Sequence, residues 1–246
     1  MKKMILVTLL IALIGCNKES SDKNFIEYDK IVLTQYIFDN YYEDSRQLYM
    51  NEIMLDSTHN NFNNPEINES EVTNILKIIQ AVYNIDIPER DTVFNIYQIH
   101  SRYCYSFNEI SLEVIPEIPE IQNLSSGIIP TGEPDLDNLL SMYVFDSVRT
   151  YYNYPDFPWL SIYSQNEYNL IPLLKKFSSL EPVLITDFNK SCIGDGNNIT
   201  LIRTEESAII TFSIGTGDCP AGCLYHKYWV FEVTEGVASF IETYED

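Results

Sequence analysis

Basic residues are scarce in this sequence. Its 246 residues include 15 lysines and arginines against 36 aspartates and glutamates, so the formal net charge is −21 at pH 7. A surface of this charge repels the phosphate backbone of nucleic acids, which proteins bind through clustered lysines and arginines. The composition therefore argues against a nucleic-acid partner and favours a soluble acidic body with a cationic or calcium-bridged partner.

Histidines are equally few, and the common catalytic motifs are missing. The three histidines are His59, His100 and His226, and the sequence holds no G-x-S-x-G, H-E-x-x-H, Walker A or G-x-G-x-x-G pattern. Residues 187–191 begin like a calcium loop, but Cys192 and Asn198 replace the required glycine and glutamate. We therefore predict no catalytic residue, no cofactor and no metal site, although the abundant carboxylates leave a glycosidase-like pair open.

Long hydrophobic runs are also lacking, with one short exception at the start. Lys2 and Lys3 precede an apolar run from Met4 to Ile14. This run is well short of the roughly 20 residues that a helix needs to span a bilayer. A basic start followed by a short apolar core is typical of a secretory signal peptide.

The end of that run carries the most specific motif in the chain. Leu13-Ile14-Gly15-Cys16 resembles the lipobox of bacterial lipoproteins. The resemblance implies that residues 1–15 are removed and that Cys16 receives acyl groups such as palmitate, which together hold a protein firmly on a membrane. Removal of Lys2 and Lys3 changes the formal charge from −21 to −23. In lipoproteins of enteric bacteria, an aspartate directly after the acylated cysteine favours retention in the inner membrane. This sequence has Asn17 at that position, so the outer membrane is the expected location.

The remaining chain predicts an α+β fold in which helices pack on antiparallel sheet. Residues 16–24 are a polar tether, and residues 25 to about 55 are expected to be largely helical. Asn68 is placed to cap a second helix, whose apolar face repeats at helical spacing. Further strands are expected at 92–100, 103–107 and 109–114, with a helix at 135–143, a strand at 159–164 and a helix at 166–177. Five strands then form a C-terminal antiparallel meander: PVLITDF, NITLIRT, SAIITFSIG, YHKYWVFEV and VASFIETYE.

Proline and glycine concentrate between residues 116 and 134, where we place an internal boundary. The predicted units are residues 25–125 and 126–246. LTQYIFDN (33–40) resembles LSMYVFDS (140–147), and each is followed by an apolar helix and strands. One hypothesis is that the units are related repeats; chance similarity between tyrosine-rich stretches is the alternative.

Four cysteines remain once Cys16 carries lipid: Cys104, Cys192, Cys219 and Cys223. An oxidising exported location favours disulfides, and four cysteines allow three pairings. The spacing leaves open whether Cys104 and Cys192 are paired.

The CPAGC stretch at 219–223 has three interpretations. A thioredoxin-like redox centre is disfavoured because the spacing is C-x-x-x-C between two strands. A zinc site could use Cys219, Cys223 and His226, with Cys192 or Asp218 as the fourth ligand. We favour a hairpin loop closed by a Cys219–Cys223 disulfide, which contributes on the order of 2 kcal/mol. In that hairpin, Lys227, Trp229, Phe231 and Val233 share the face toward the core.

The same stretch resembles a GDCPAGC…YW.F hairpin of exported lipoproteins of the Bacteroidetes type, with a likeness extending over about residues 135–246. The resemblance implies a fold and a location and brings no activity with it.

Three short motifs resemble the D-[ST]-apolar/Thr acceptor for O-glycosylation in proteins of the same bacteria. They nominate Ser57, Thr92 and Ser147 as modification sites. The alternative is that Val93 and Val148, which complete two of the motifs, are simply core residues.

Three functions are compatible with these features. The first is a lipid-anchored envelope protein that acts as a binding or structural module and not as an enzyme. The second is an exported hydrolase whose carboxylates or histidines meet only in the fold. The third is an immunity or inhibitor lipoprotein directed against a cationic partner. A deep cleft with two convergent carboxylates or a His–Asp pair would favour the hydrolase. A flat, acidic or aromatic surface would favour a protein partner.

Overall fold

The computed structural model describes residues 28–151, 159–190, 194–204 and 206–246. The predicted signal peptide, Cys16, the tether and Cys192 lie outside these residues. The α+β class is confirmed, because six helices accompany two four-stranded antiparallel sheets.

Two long helices open the described chain. After a 3-10 turn at Tyr28–Lys30 come α1 (Gln35–Leu55) and α2 (Glu69–Asn84). The Thr34 hydroxyl caps α1 by accepting a hydrogen bond from the Ile37 amide, and Asn68 caps α2 as predicted, through the Ser70 amide. The predicted apolar face of α2 is fully buried: Val72, Ile75, Leu76, Ile79 and Val82.

The strand predicted at 92–100 is wrong. Pro88 begins a short helix, α3 (Pro88–Asp91), which continues as a π-helical turn over Thr92–Ile96. Proline suits the first helical position, because a backbone N–H at that position would have no acceptor within the helix and proline has none to leave unpaired. The consecutive residues Val93 and Phe94 are both fully buried, which an alternating half-buried strand would not allow. Packing here overrides the strand preference of β-branched and aromatic residues.

The first sheet has the order β2-β3-β1-β4. Its strands are β1 (Tyr105–Val114), β2 (Phe145–Tyr151), β3 (Trp159–Ser164) and β4 (Val183–Lys190). The helices α4 (Pro119–Ser125), α5 (Pro134–Met142) and α6 (Ile171–Phe177) belong to the same part of the chain. The sequence did not predict α4 or β2, and α6 begins late enough to place Pro172 in its first turn.

The second sheet is a meander with the order β5-β6-β7-β8. Its strands are β5 (Asn198–Arg203), β6 (Ser207–Thr216), β7 (Tyr225–Thr234) and β8 (Val237–Glu245). Four of the five predicted meander strands are therefore confirmed. The first, PVLITDF, forms β4 in the other sheet, where it pairs with β1.

Two hydrophobic cores result. The first joins α1, α2 and the π-helical turn to β5–β8, and the second lies between β1–β4 and α4–α6. The predicted division at residue 125 stays a prediction, because core packing does not show which segments fold independently. The segments that suggested a repeat differ in structure: residues 33–40 enter α1, whereas 140–147 end α5 and begin β2.

Candidate functional site

A disulfide between Cys219 and Cys223 closes the loop that joins β6 to β7. Gly217 and Gly222 have φ values of 97° and 115°, which favour glycine over any residue with a side chain. Trp229, Phe231 and Val233 are buried in the first core, as the hairpin interpretation predicts. Cys104 is also disulfide-bonded, and Cys192 lies outside the described residues.

His226 stands beside this loop between two carboxylates. Its Nε2 lies 2.8 Å from Asp195 Oδ2, and its Nδ1 lies 3.5 Å from Asp246 Oδ1. The Asp195 amide donates to the Cys219 carbonyl at 2.7 Å, so the disulfide loop holds Asp195 in place. The Gly196 amide, opposed by partial burial, lowers the pKa of Asp195, and His226 and Arg102 lower it further.

This cluster differs from the zinc site that the sequence suggested. In the described part of the chain, the residues that can present ligand atoms together are Asp195, Cys223 and His226, with those atoms within 4.8 Å of one another. Asp218 is not a member of the group. The sequence identified Cys223 and His226 but missed Asp195, whose only signal is its place in the Gly194-Asp195-Gly196 turn.

A second histidine–carboxylate pair joins α1 to the segment before β1. Asp44 on α1 is fully buried and accepts hydrogen bonds from the Ser101 amide and from His100 Nδ1, the latter at 2.9 Å. The Tyr41 ring stacks on the His100 ring with centroids 4.7 Å apart. The hydrogen bond to Asp44, opposed by burial, raises the pKa of His100. No spacing motif could reveal a pair whose members are 56 residues apart.

The second pair has the contacts of a structural anchor. Four cavities formed by the described residues have volumes of about 240 to 460 Å³, and His100 lines none of these four. The neighbouring Ser101 hydroxyl is buried without a hydrogen-bond partner, where a substrate could not reach it. Asp44 therefore fixes the segment between the π-helical turn and β1.

The largest of the four cavities is acidic, and we call it the acidic cleft. Its volume is about 460 Å³, and it opens between the starts of α4 and α5 and the turn from α6 to β4. The residues that line it are Ile118, Glu120, Glu133, Asp135, Ser179, Leu180, Glu181 and Pro182. Glu133 caps α5 by accepting from the Leu136 amide. Glu120, Asp135 and Glu181 have no hydrogen-bond or ion-pair partner among the described residues.

Three of the five arginines of the protein are held by carboxylates outside this cleft. Arg46 pairs with Glu43 and Glu167, and Arg203 pairs with Glu52 and Glu71. Arg90 likewise pairs with neighbouring aspartates. Asp137, in the acidic stretch 133–138, instead accepts from the Thr131 and Gly132 amides and orders the loop before α5.

The three nominated modification sites fall in different settings. Ser57 is exposed in the turn after α1, Ser147 is exposed on β2, and the Thr92 hydroxyl donates to the Pro88 carbonyl. Val93 is fully buried, as the core-residue alternative expects. Modification stays a prediction, and an intact mass without added hexose would contradict it.

Comparisons of the chain with models of protein families, with curated proteins and with solved structures find no match. None of the helices in the described ranges is both long and apolar enough to cross a lipid bilayer.

Proposed function

We propose that this protein is a lipid-anchored binding protein of the bacterial cell envelope, and that its acidic cleft binds a cationic protein or peptide. The observation that carries the proposal is the presence of Glu120, Asp135 and Glu181 around one cavity without cationic partners among the described residues. Carboxylates gathered without counter-charges repel one another, and a cationic ligand relieves that repulsion.

The walls of the cleft suit lysine and arginine side chains in particular. Ile118, Leu180 and Pro182 contribute apolar surface beside the carboxylates. Lysine and arginine bury their hydrocarbon stems on apolar surface while their charged ends reach polar groups. A cleft with both kinds of wall therefore recognises a basic side chain better than a simple metal cation.

The charge of the whole protein supports the same ligand class. The formal charge of −21, or −23 after the predicted cleavage, attracts a basic partner over distances longer than the cleft itself. Such attraction raises association rates and weakens with salt, because the Debye length is about 8 Å at physiological ionic strength.

Fluorescence anisotropy with a labelled hexalysine peptide tests the cleft. We expect Glu120→Gln with Glu181→Gln to weaken binding about tenfold, since each lost charge contact in a partly shielded site is worth roughly 0.5–1 kcal/mol. Glu133 is left intact because it caps α5.

The matched control is Glu206→Gln with Glu242→Gln, which also removes two charges. Both residues are exposed: Glu206 lies in the turn before β6, and Glu242 lies on β8. We expect this control to change affinity less than twofold. Equal weakening by both pairs would show that net charge alone attracts the peptide and would overturn the cleft assignment.

Physiological partners can then be sought by pull-down from envelope extracts. Recovery of a basic protein by the unmodified chain, and its loss with the cleft variant, would support the immunity or inhibitor form of the proposal. Recovery that is equal with both chains would count against it.

The hydrolase alternative is favoured by the Asp44–His100 pair. A histidine oriented by a buried carboxylate is the arrangement of a general base. Hydrolysis of ester, glycoside and peptide substrates that disappears in His100→Gln while the fold is retained would favour the enzyme. Absence of hydrolysis by the unmodified protein would leave the pair with its structural role.

A further inference from the structure

We infer that reduction of the Cys219–Cys223 disulfide turns the corner beside His226 into a zinc-binding site, with Asp195, His226, Cys219 and Cys223 as its four ligands. This site is separate from the acidic cleft, which lies between the starts of α4 and α5 and the turn from α6 to β4. The inference therefore does not depend on the proposed function.

Three of the four ligand atoms already lie close together, and the disulfide holds the fourth, Cys219 Sγ, next to Cys223. Those of Asp195, Cys223 and His226 lie within 4.8 Å of one another. Ligands on a tetrahedral zinc ion at its usual bond lengths stand about 3.3–3.8 Å apart. For these three ligands the adjustment needed is therefore about 1 Å, and Cys219 reaches the ion by side-chain rotation once the disulfide opens.

The orientation of His226 is also that of a metal ligand. Its Nε2 faces Asp195 at 2.8 Å, so an ion placed between them would replace that hydrogen bond. Its Nδ1 faces Asp246 at 3.5 Å. Zinc-bound histidines commonly give their second ring N–H to a carboxylate, which fixes the ring and strengthens the metal bond. Asp246 stands where that second carboxylate is needed.

Asp195 is prepared for the same role. The Gly196 amide holds its Oδ1 at 2.7 Å, which leaves Oδ2 directed toward His226.

The disulfide is the element that controls whether the site exists. The Cα atoms of Cys219 and Cys223 are 3.9 Å apart, so both sulfur atoms stay in the corner after the bond opens. Gly215 leaves the space that Cys223 occupies, since a Cβ at that position would lie 2.3 Å from its Sγ. While the bond is intact, neither sulfur is a thiolate, and thiolates are the form that binds zinc.

Opening of the Cys219–Cys223 disulfide requires a reductant, and a dithiol protein can supply the two electrons by thiol–disulfide exchange. A dithiol protein attacks the disulfide, its two thiols become a disulfide, and Cys219 and Cys223 each gain a hydrogen. Zinc then displaces the two thiol protons into solvent as it binds. Reoxidation by a disulfide reverses the electron transfer and releases the ion.

Zinc competition with a chromophoric chelator tests the inference on the full chain in detergent. The protein is reduced with a water-soluble phosphine, freed of the phosphine and titrated without oxygen. We expect one zinc ion per reduced chain and at least a hundredfold weaker binding by the oxidised chain. No stoichiometric binding by the reduced chain, or equal binding by both forms, would overturn the inference.

Variants distinguish zinc binding at this site from zinc binding by other cysteines that reduction releases as thiols. Cys219→Ser with Cys223→Ser keeps Cys104 and Cys192 and should abolish binding; retained affinity would place the zinc elsewhere. Because a cysteine variant could lose its fold, Asp246→Asn provides a second measure. In this variant cobalt, used as a spectroscopic substitute for zinc, should still bind and show the thiolate charge-transfer band, whereas the affinity for zinc should fall about tenfold. An unchanged affinity for zinc would remove Asp246 from its positioning role.

Discussion

Arg203 on β5 forms a two-point ion pair with Glu52 on α1, although 151 residues separate them. The Nε atom lies 2.8 Å from Oε1, and Nη2 lies 2.6 Å from Oε2. The third nitrogen, Nη1, lies 2.9 Å from Glu71 Oε2 on α2. Burial opposes the charge of Arg203, but the hydrogen bonds to Glu52 outweigh it and raise the arginine pKa. One side chain thus joins the second sheet to both long helices.

Replacing this arginine should destabilise the protein. We expect Arg203→Met to lower the free energy of unfolding by roughly 3 kcal/mol, at the lower end for a broken buried pair because Glu71 is about a third exposed. Urea denaturation measures the change. Arg149→Met removes an exposed guanidinium and serves as the control. A loss below about 0.5 kcal/mol for Arg203→Met would mean that the pair is as weak as an ordinary surface ion pair.

The Asp44–His100 pair predicts a pH dependence of stability. Because the folded state raises the His100 pKa above its unfolded value of 6.5, the pair contributes its full stability below pH 6.5. That contribution is lost as pH rises through the folded pKa. The stability difference between the unmodified protein and His100→Gln should therefore shrink with rising pH. NMR titration supplies the check: Asp44→Asn should lower the His100 pKa, and an unchanged value would contradict the assigned cause.

Phe94 links the helices to the second sheet through aromatic packing. Its ring lies 5.2 Å from that of Tyr41 and 5.3 Å from those of Tyr83 and Phe212. We expect Phe94→Ala to lower stability by about 3–5 kcal/mol, since it leaves a cavity in a fully buried position. Ile96→Ala, at a site that is 69% exposed, should cost little. Similar losses for both variants would show that the π-helical turn, and not the buried ring, sets the stability.

The predicted lipid anchor has its own test. Cys16→Ser should release the protein from membranes into the soluble fraction, because acylation at Cys16 is the only predicted attachment. Fractionation followed by immunoblotting measures the distribution. A Cys16→Ser protein that stays bound, or a mature chain that retains Met1, would contradict the lipoprotein hypothesis.

The parts of the fold that the sequence predicts are those with strong local patterns. Asn68 and the apolar spacing that follows it predict the α2 helix, and the alternation that buries Trp229 predicts β7. The sequence predicts a strand at the π-helical turn because Val93 and Phe94 favour strands locally, whereas distant core partners determine their conformation.

The candidate sites depend more heavily on distant contacts. The hairpin disulfide is local and was predicted, but Asp195 approaches His226 across 31 residues, and no spacing motif marks the approach. The acidic cleft joins the turn after α6 to two helix starts about fifty residues earlier. Charge composition predicts a cationic partner, whereas only the fold places these carboxylates around one cavity.

The first core also constrains the order in which the molecule can be completed. The helices of this core lie near the amino end of the chain, and the strands that cover them lie near the carboxyl end. Ile37 and Phe94 therefore stay exposed to solvent until residues 198–245 are available to fold. The β1–β4 sheet, by contrast, can assemble as soon as residue 190 arrives. Contacts of such long sequence separation slow folding and lengthen the exposure of apolar surface. A chain exported with its amino end first would therefore leave this apolar surface exposed until its last hairpin has crossed the membrane.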